Sequence, residues 1–176
     1  MESDPLSIAC IKAIVLLDPS GKRIFVKYYE EIPNSQKFED TLWEKAQQQS
    51  TLAEDIFVVQ KYFCTYKRKS GVFVGFIGEL GDNELIVTHA LGVFMDVLNE
   101  LFKFEISRQS LLAHYDLLLY AVDSMVDSGI LFEEDITTIV DRVTMKSVRD
   151  SIPITEQTFT QALATAKDHL IRSLLR

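Results

Sequence analysis

The segment Cys10 to Leu17, CIKAIVLL, is apolar at almost every position. A strand sends successive side chains to opposite faces. A segment apolar at both parities is therefore stable only in a sheet that is covered on both sides. DPSG follows at Asp18 to Gly21, with proline second and glycine fourth, the pattern of a type I turn. KRIFVKYY, Lys22 to Tyr29, then places Ile24, Val26 and Tyr28 on one face. Together these segments predict a β-hairpin whose first strand runs inside a two-sided core.

The rest of the chain supplies the covering layers. Lys37 to Gln49 predicts an amphipathic helix, with Phe38, Leu42 and Ala46 on one side and Trp43 beside them. Ile56 to Leu80 is rich in β-branched and aromatic residues. It predicts strands at Ile56 to Gln60, Tyr62 to Lys67 and Val72 to Glu79, with a turn at Lys69–Ser70–Gly71 and a bulge or sharp corner between the first two. The glycines of GVFVGFIGELG read as strand glycines against which another element packs closely. Asp82 is placed to cap a helix starting near Asn83, whose stripe is Val87, Leu91, Phe94, Leu98 and Leu101. Ile86, Val93, Val97 and Phe102 widen that stripe, as in a helix laid across a sheet. Ser107 caps a second long helix with the stripe Leu111, Tyr115, Leu118, Val122 and Met125, closed by Gly129 at its C′ position. Thr137 to Val143 reads as a short helix and Met145 to Ile154 as a linker. A last helix, capped by Thr155, carries Phe159, Leu163, Ala166, Leu170 and Leu174. The order β-β-α-β-β-β-α-α plus a C-terminal helix is α+β, an antiparallel five-stranded sheet covered by helices. The expected division is an N-terminal tail over residues 1–8, the sheet domain over 9–144, and linker plus C-terminal helix over 145–176.

Composition narrows the function classes. A net charge of −8 repels nucleic acid and acidic lipid. The two cysteines, Cys10 and Cys64, sit in apolar segments without CxxC spacing and read as reduced buried thiols. MESDPLSIAC lacks the basic then apolar pattern of a signal peptide, and no apolar run is long enough to span a membrane, so a cytosolic protein is expected. His89, His114 and His169 have no second ligand at metal spacing. There is no nucleophile elbow, dinucleotide fingerprint or P-loop. YKRKSG, Tyr66 to Gly71, could touch phosphate, but reads more simply as a solvated hairpin tip. No catalytic, cofactor-binding or metal residue is assigned, and neither a nucleic acid nor a small-molecule substrate is expected.

AVDSMVDSGILFEED, Ala121 to Asp135, holds five carboxylates in fifteen residues. At about 100° per residue, Asp116, Asp123 and Asp127 fall within an arc of about 60°, opposite the apolar stripe. A convex helix face offers no cleft to perturb a carboxylate pair, so these groups read as solvated or partner-facing. On this reading Asp127 lies in the last helical turn, where the macrodipole disfavours a negative charge by a few tenths of a kcal/mol. Arg142 and Arg149 are the local cations able to offset it, and the face is expected to meet a basic element in the chain or on a partner. Phe25, Tyr28 and Tyr29 put large side chains on both faces of one hairpin, and Trp43 adds another on the helix Lys37 to Gln49. They are candidate interface anchors unless the chain's own helices cover them.

KAIVLLDPSGKRIFVKYY, GDNELI, AVDSMVDSGI, IPITEQT, QAL and the terminal SLLR resemble the zeta subunits of coatomer over nearly the whole chain. The first segment is shared loosely with clathrin-adaptor small chains, which lack the tail helix. The resemblance implies the longin fold, a structural role without catalysis, and a gamma-type large solenoid subunit as obligate partner. It also implies other coatomer subunits and, indirectly, an Arf-class GTPase and the membrane as associates. The implied place is the cytoplasm, peripheral on the Golgi membrane and coated vesicles, in Golgi-to-ER and intra-Golgi transport. An adaptor small chain that binds dileucine sorting signals is the alternative. Candidate interface residues are Phe25, Tyr28, Tyr29, Trp43, Asp123 and Asp127, with Phe159, Leu163 and Leu170 on the tail helix.

Overall fold

The computed structural model describes residues 9–48, 54–103 and 105–151, with side chains described to residue 145. The chain divides into compact units over residues 1–144 and 145–176. Strands β1 (Ala13–Leu17) and β2 (Arg23–Tyr28) form the expected hairpin, followed by α1 (Ser35–Gln48). Then come β3 (Glu54–Val59), β4 (Tyr62–Lys69) and β5 (Val72–Glu79). These five strands make one antiparallel sheet in the order β2-β1-β5-β4-β3. The expectation of a bulge or corner between the third and fourth strands is corrected. The two-residue turn Gln60–Lys61 joins them, with Val59 paired to Tyr62.

All five residues of β1 are buried, as its sequence requires. Ala13, Val15 and Leu17 join Phe38, Leu42 and Ala46 of α1 in one core. Ile14 and Leu16 join Val87, Leu91, Phe94 and Leu98 in the other, on helix α2 (Glu84–Leu101). The register between β1 and β2 shifts between Leu16 and Leu17. This irregularity corrects the expected alternation: Ile24 leaves the face of Val26 and Tyr28 and joins Phe25 in the α2-side core. Gly78 of β5 is needed because a Cβ there would lie 2.3 Å from the Phe63 ring.

Several helix boundaries differ from expectation. Asn83, not Asp82, caps α2, accepting from the Leu85 N–H at 3.0 Å. Asp82 instead accepts from the Glu79 N–H and faces Lys12 at 3.5 Å. The expected second long helix is two helices, α3 (Arg108–Ala113) and α4 (Tyr115–Met125). His114, at φ −125° and ψ 49°, breaks them. Ser107 caps α3 as expected, in a reciprocal arrangement with Ser110. Leu111, Leu118, Val122 and Met125 remain buried, but Tyr115 beside the break is 41% exposed.

Gly129 does not follow a helix end. Val126 closes α4, and Ser128–Gly129 forms the turn of a small hairpin, β6 (Val126–Asp127) and β7 (Ile130–Leu131). Both turn residues have positive φ, 50° and 82°, as a type I′ turn demands. A Cβ on Gly129 would stand 2.6 Å from the Ile11 carbonyl oxygen, and the Ile11 N–H donates to the Gly129 carbonyl at 3.0 Å. The glycine thus lets this hairpin sit directly on the segment entering β1. The helix expected over Thr137 to Val143 is longer, because α5 runs Ile136–Ser151 and takes up the described part of the expected linker. Ile136, Ile139, Val140 and Val143 pack on the α2-side core and sustain its first turns. The helix expected from Thr155 lies outside the described residues.

A buried carboxylate ties α1 to the hairpin. Glu39 is 1% exposed and accepts from Arg23 Nε at 2.8 Å, Arg23 Nη2 at 2.5 Å and the Tyr28 hydroxyl at 2.5 Å. Removing one partner of a buried pair costs far more than the pair is worth against an apolar replacement. Arg23→Ala should destabilise the chain by about 2–3 kcal/mol, at the lower end because the guanidinium is partly solvated. That corresponds to a loss of roughly 4–12 °C in Tm for a chain of this size. Thermal unfolding beside the exposed control Lys61→Ala measures it. Equal, small effects for both variants would contradict the assigned role of Glu39.

Candidate partner interface

The hairpin aromatics fall on both sides of the sheet. Phe25 is corrected from candidate surface anchor to core, being 3% exposed with its ring 6.0 Å from that of Tyr115. Tyr28, bound to Glu39, and Trp43 lie half-buried on the α1 side. The Trp43 ring covers Gly21, where a Cβ would come within 2.5 Å of it. It also stacks near the Arg68 guanidinium at 5.8 Å.

The basic hairpin tip is tied down within the chain. Arg68 donates to the Ala46 carbonyl near the end of α1, and Lys69 to Asn99 of α2. Lys67 pairs with Glu54 at 2.9 Å. These contacts join layers, so the tip is neither merely solvated nor an open phosphate clamp.

Tyr29, Asp123 and Asp127 lie together on the other side. Lys27 Nζ donates to Asp123 Oδ1 at 2.6 Å and lies 5.1 Å from the Tyr29 ring centre. The Tyr29 hydroxyl donates to the Val126 carbonyl at 3.4 Å. Burial, followed by the charges of Asp123 and Asp127, pushes the Tyr29 phenol well above its ordinary range. The cation that meets the acidic face is therefore Lys27, from β2. Asp127 lies in β6, one residue beyond the α4 cap Val126 and not in the last helical turn as expected. Arg142 pairs instead with Glu133 at 3.4 Å and donates to the Ser124 carbonyl.

The remaining acids of this stretch serve local structure. Asp135 caps α5 by accepting from the Thr138 N–H at 2.7 Å, and this bond holds its carboxyl below the usual range. Glu134 meets His89 at 2.9 Å. Among the described residues no three His, Cys, Asp or Glu side chains are grouped to hold a metal ion. The Cys64 thiol is fully buried, which pushes its pKa up and leaves it inert as a nucleophile. No helix among the described residues is long and apolar enough to cross a membrane.

Sequence reasoning missed two groups of exposed apolar side chains. Leu112, Tyr115 and Leu119 lie on α3 and α4, and Ile56 on β3 lines a cleft with Leu85 of α2. The first group recurs at spacings of three and four in LLAHYDLLLY, a second stripe beside the core stripe. The second needs the three-dimensional fold, since thirty residues separate its halves. Tail residues Phe159, Leu163 and Leu170 lie outside the described residues.

These outer faces belong to a fold with known relatives. Residues 10–150 match the clathrin adaptor complex small chain family. Coatomer subunit zeta-2 of Arabidopsis thaliana is 36% identical over 176 residues, covering 97% of this chain and 98% of that one. Coatomer subunit zeta-1 of Homo sapiens is 30% identical over 174 residues, covering 97% and 96%. The chain belongs to the coatomer zeta family. A chain of the full-length AP-3 complex in a stretched open conformation has the same fold, with a TM-score of 0.65 at 16% identity, over 86% of this chain and 98% of that one. This zeta chain thus has the adaptor small-chain, longin-like architecture expected from its element order.

The Lys27–Asp123 pair is half-solvated on both sides, so its contribution to folding is under about 1 kcal/mol. The double variant Asp123→Lys plus Asp127→Lys should therefore unfold within about 1 kcal/mol of the parent. If this face meets a large coat subunit, the same variant should lose most of its co-purification with that subunit. Unchanged stability together with unchanged co-purification would remove Asp123 and Asp127 from the interface.

Proposed function

We propose that this zeta-family chain is a non-catalytic subunit of a coatomer vesicle coat and acts as the obligate partner of a gamma-type large solenoid subunit. Family membership makes it a coat component in vesicle trafficking, within a multi-subunit complex. The single observation that carries the reading is the extent of the match, 97–98% of both chains with zeta-2 of Arabidopsis thaliana. Other coatomer subunits and, indirectly, an Arf-class GTPase and the Golgi membrane complete the proposed setting. Golgi-to-ER and intra-Golgi transport are the proposed steps, with the chain peripheral on membrane and vesicle.

The chemistry of the fold agrees with a binding role. Its polar groups tie layers together, and its outer surface keeps apolar side chains exposed beside charge. Tyr28, Tyr29, Trp43, Asp123 and Asp127, with the tail residues Phe159, Leu163 and Leu170, are the proposed contacts to the large chain. Exposed Leu112, Tyr115 and Leu119 extend the acidic α4 side of that surface.

Co-expression of the full chain with a gamma-type large subunit should yield a 1:1 complex that survives size-exclusion chromatography. A monomer that elutes apart from the large chain at micromolar concentration would overturn the reading.

A further inference from the structure

We propose that the cleft between β3 and the first turn of α2 is a docking groove for a basic amphipathic helix of a partner protein. The cleft encloses about 410 Å³, within the range of about 300–1,000 Å³ that binding clefts occupy. Its walls are Ile56, 39% exposed, and Leu85, 79% exposed, and its floor carries Thr65 and Thr88, whose hydroxyls meet at 3.4 Å. Lone exposed leucines are ordinary, but apolar side chains from two elements facing one cleft mark a binding surface. The Leu85 main chain is fixed at the cleft's edge, because its N–H donates to the α2 cap Asn83.

The rim selects the occupant by charge. Glu54, Asp55 and Glu84 surround the apolar walls, and Lys67, the one lining cation among the described residues, is already paired with Glu54. The complement is an apolar stripe flanked by Lys or Arg. The backbone argues for a helix over an added strand. Asp55 Oδ1 accepts from the Ile56 N–H at 2.8 Å, and Lys45 Nζ donates to the Val58 carbonyl at 2.5 Å. Two main-chain groups that an incoming strand would use thus already have side-chain partners. A helix placing leucines at i, i+3 and i+4 into the cleft needs neither of them. The groove is distinct from the Lys27–Asp123 face, so it stands or falls independently of how the large subunit is held.

The test uses the full chain and a synthetic helix of about five turns with a leucine stripe flanked by lysines, read by fluorescence anisotropy. Leu85→Gln should weaken binding at least about tenfold and Glu84→Gln several-fold, while Lys22→Gln in the exposed β1–β2 turn, outside the cleft, leaves it unchanged. A peptide with glutamates in place of the lysines should bind at least about tenfold more weakly. Amide shifts should concentrate on residues 54–58 and 84–88. No binding at about 1 mM peptide would overturn the proposal. So would equal affinity for the parent and Leu85→Gln, or equal affinity for both peptides. Leu85 is solvent-exposed, so its variant keeps the fold and a loss of binding cannot be assigned to unfolding.

Discussion

Burial of β1 on both faces is the constraint on which the rest of the structure depends. Each of its five residues is inaccessible to water, divided between the α1 core and the core under α2 and α4. A strand of this kind cannot lie at an edge or under one layer without exposing two or three large aliphatic side chains, each costing about 1.5–3 kcal/mol. The sheet therefore needs helices on both sides, and the chain supplies them. A partner chain then meets outer helix faces, sheet edges and loops, while the sheet faces are already occupied.

The two layers are fixed by different chemistry. On one side, Glu39 gathers Arg23 and Tyr28 and joins α1 to β2. On the other, packing of β-branched and aromatic residues carries α2 and α4, and the small β6–β7 hairpin closes over the entrance to β1 through Gly129. The acidic stretch at the end of α4 is thereby divided among roles. Asp123 pairs with β2, Glu133 with Arg142, and Asp135 caps the following helix. Its density of carboxylates reflects several local tasks converging in sequence.

Much of this was legible in advance because it rests on periodicity and turn chemistry. The apolar run of β1, the DPSG turn and the wide stripe of α2 each predict an element and the face it buries. What escaped detection depends on contacts distant in sequence. The bulge opposite Leu16–Leu17 reverses Ile24, and no local residue announces it. His114 breaks an otherwise continuous helical stripe, which periodicity alone reads as one helix. Gly129 satisfies a C′ glycine and a type I′ turn equally well, and only its approach to Ile11 decides between them. Phe25 resembled a surface anchor because helix α3–α4, which covers it, arrives some ninety residues later. The cleft beside Leu85 needed two elements thirty residues apart to meet.

This chain covers both faces of its own sheet, so the isolated chain should hold its fold without a partner. Hydrogen–deuterium exchange on the isolated full-length chain tests it most directly. Amides of β1 and β5 should exchange slowest, through openings close to global unfolding, and addition of the large subunit should leave them in that position. Rapid exchange of β1 in the isolated chain, slowed only when the large subunit is added, would contradict the account.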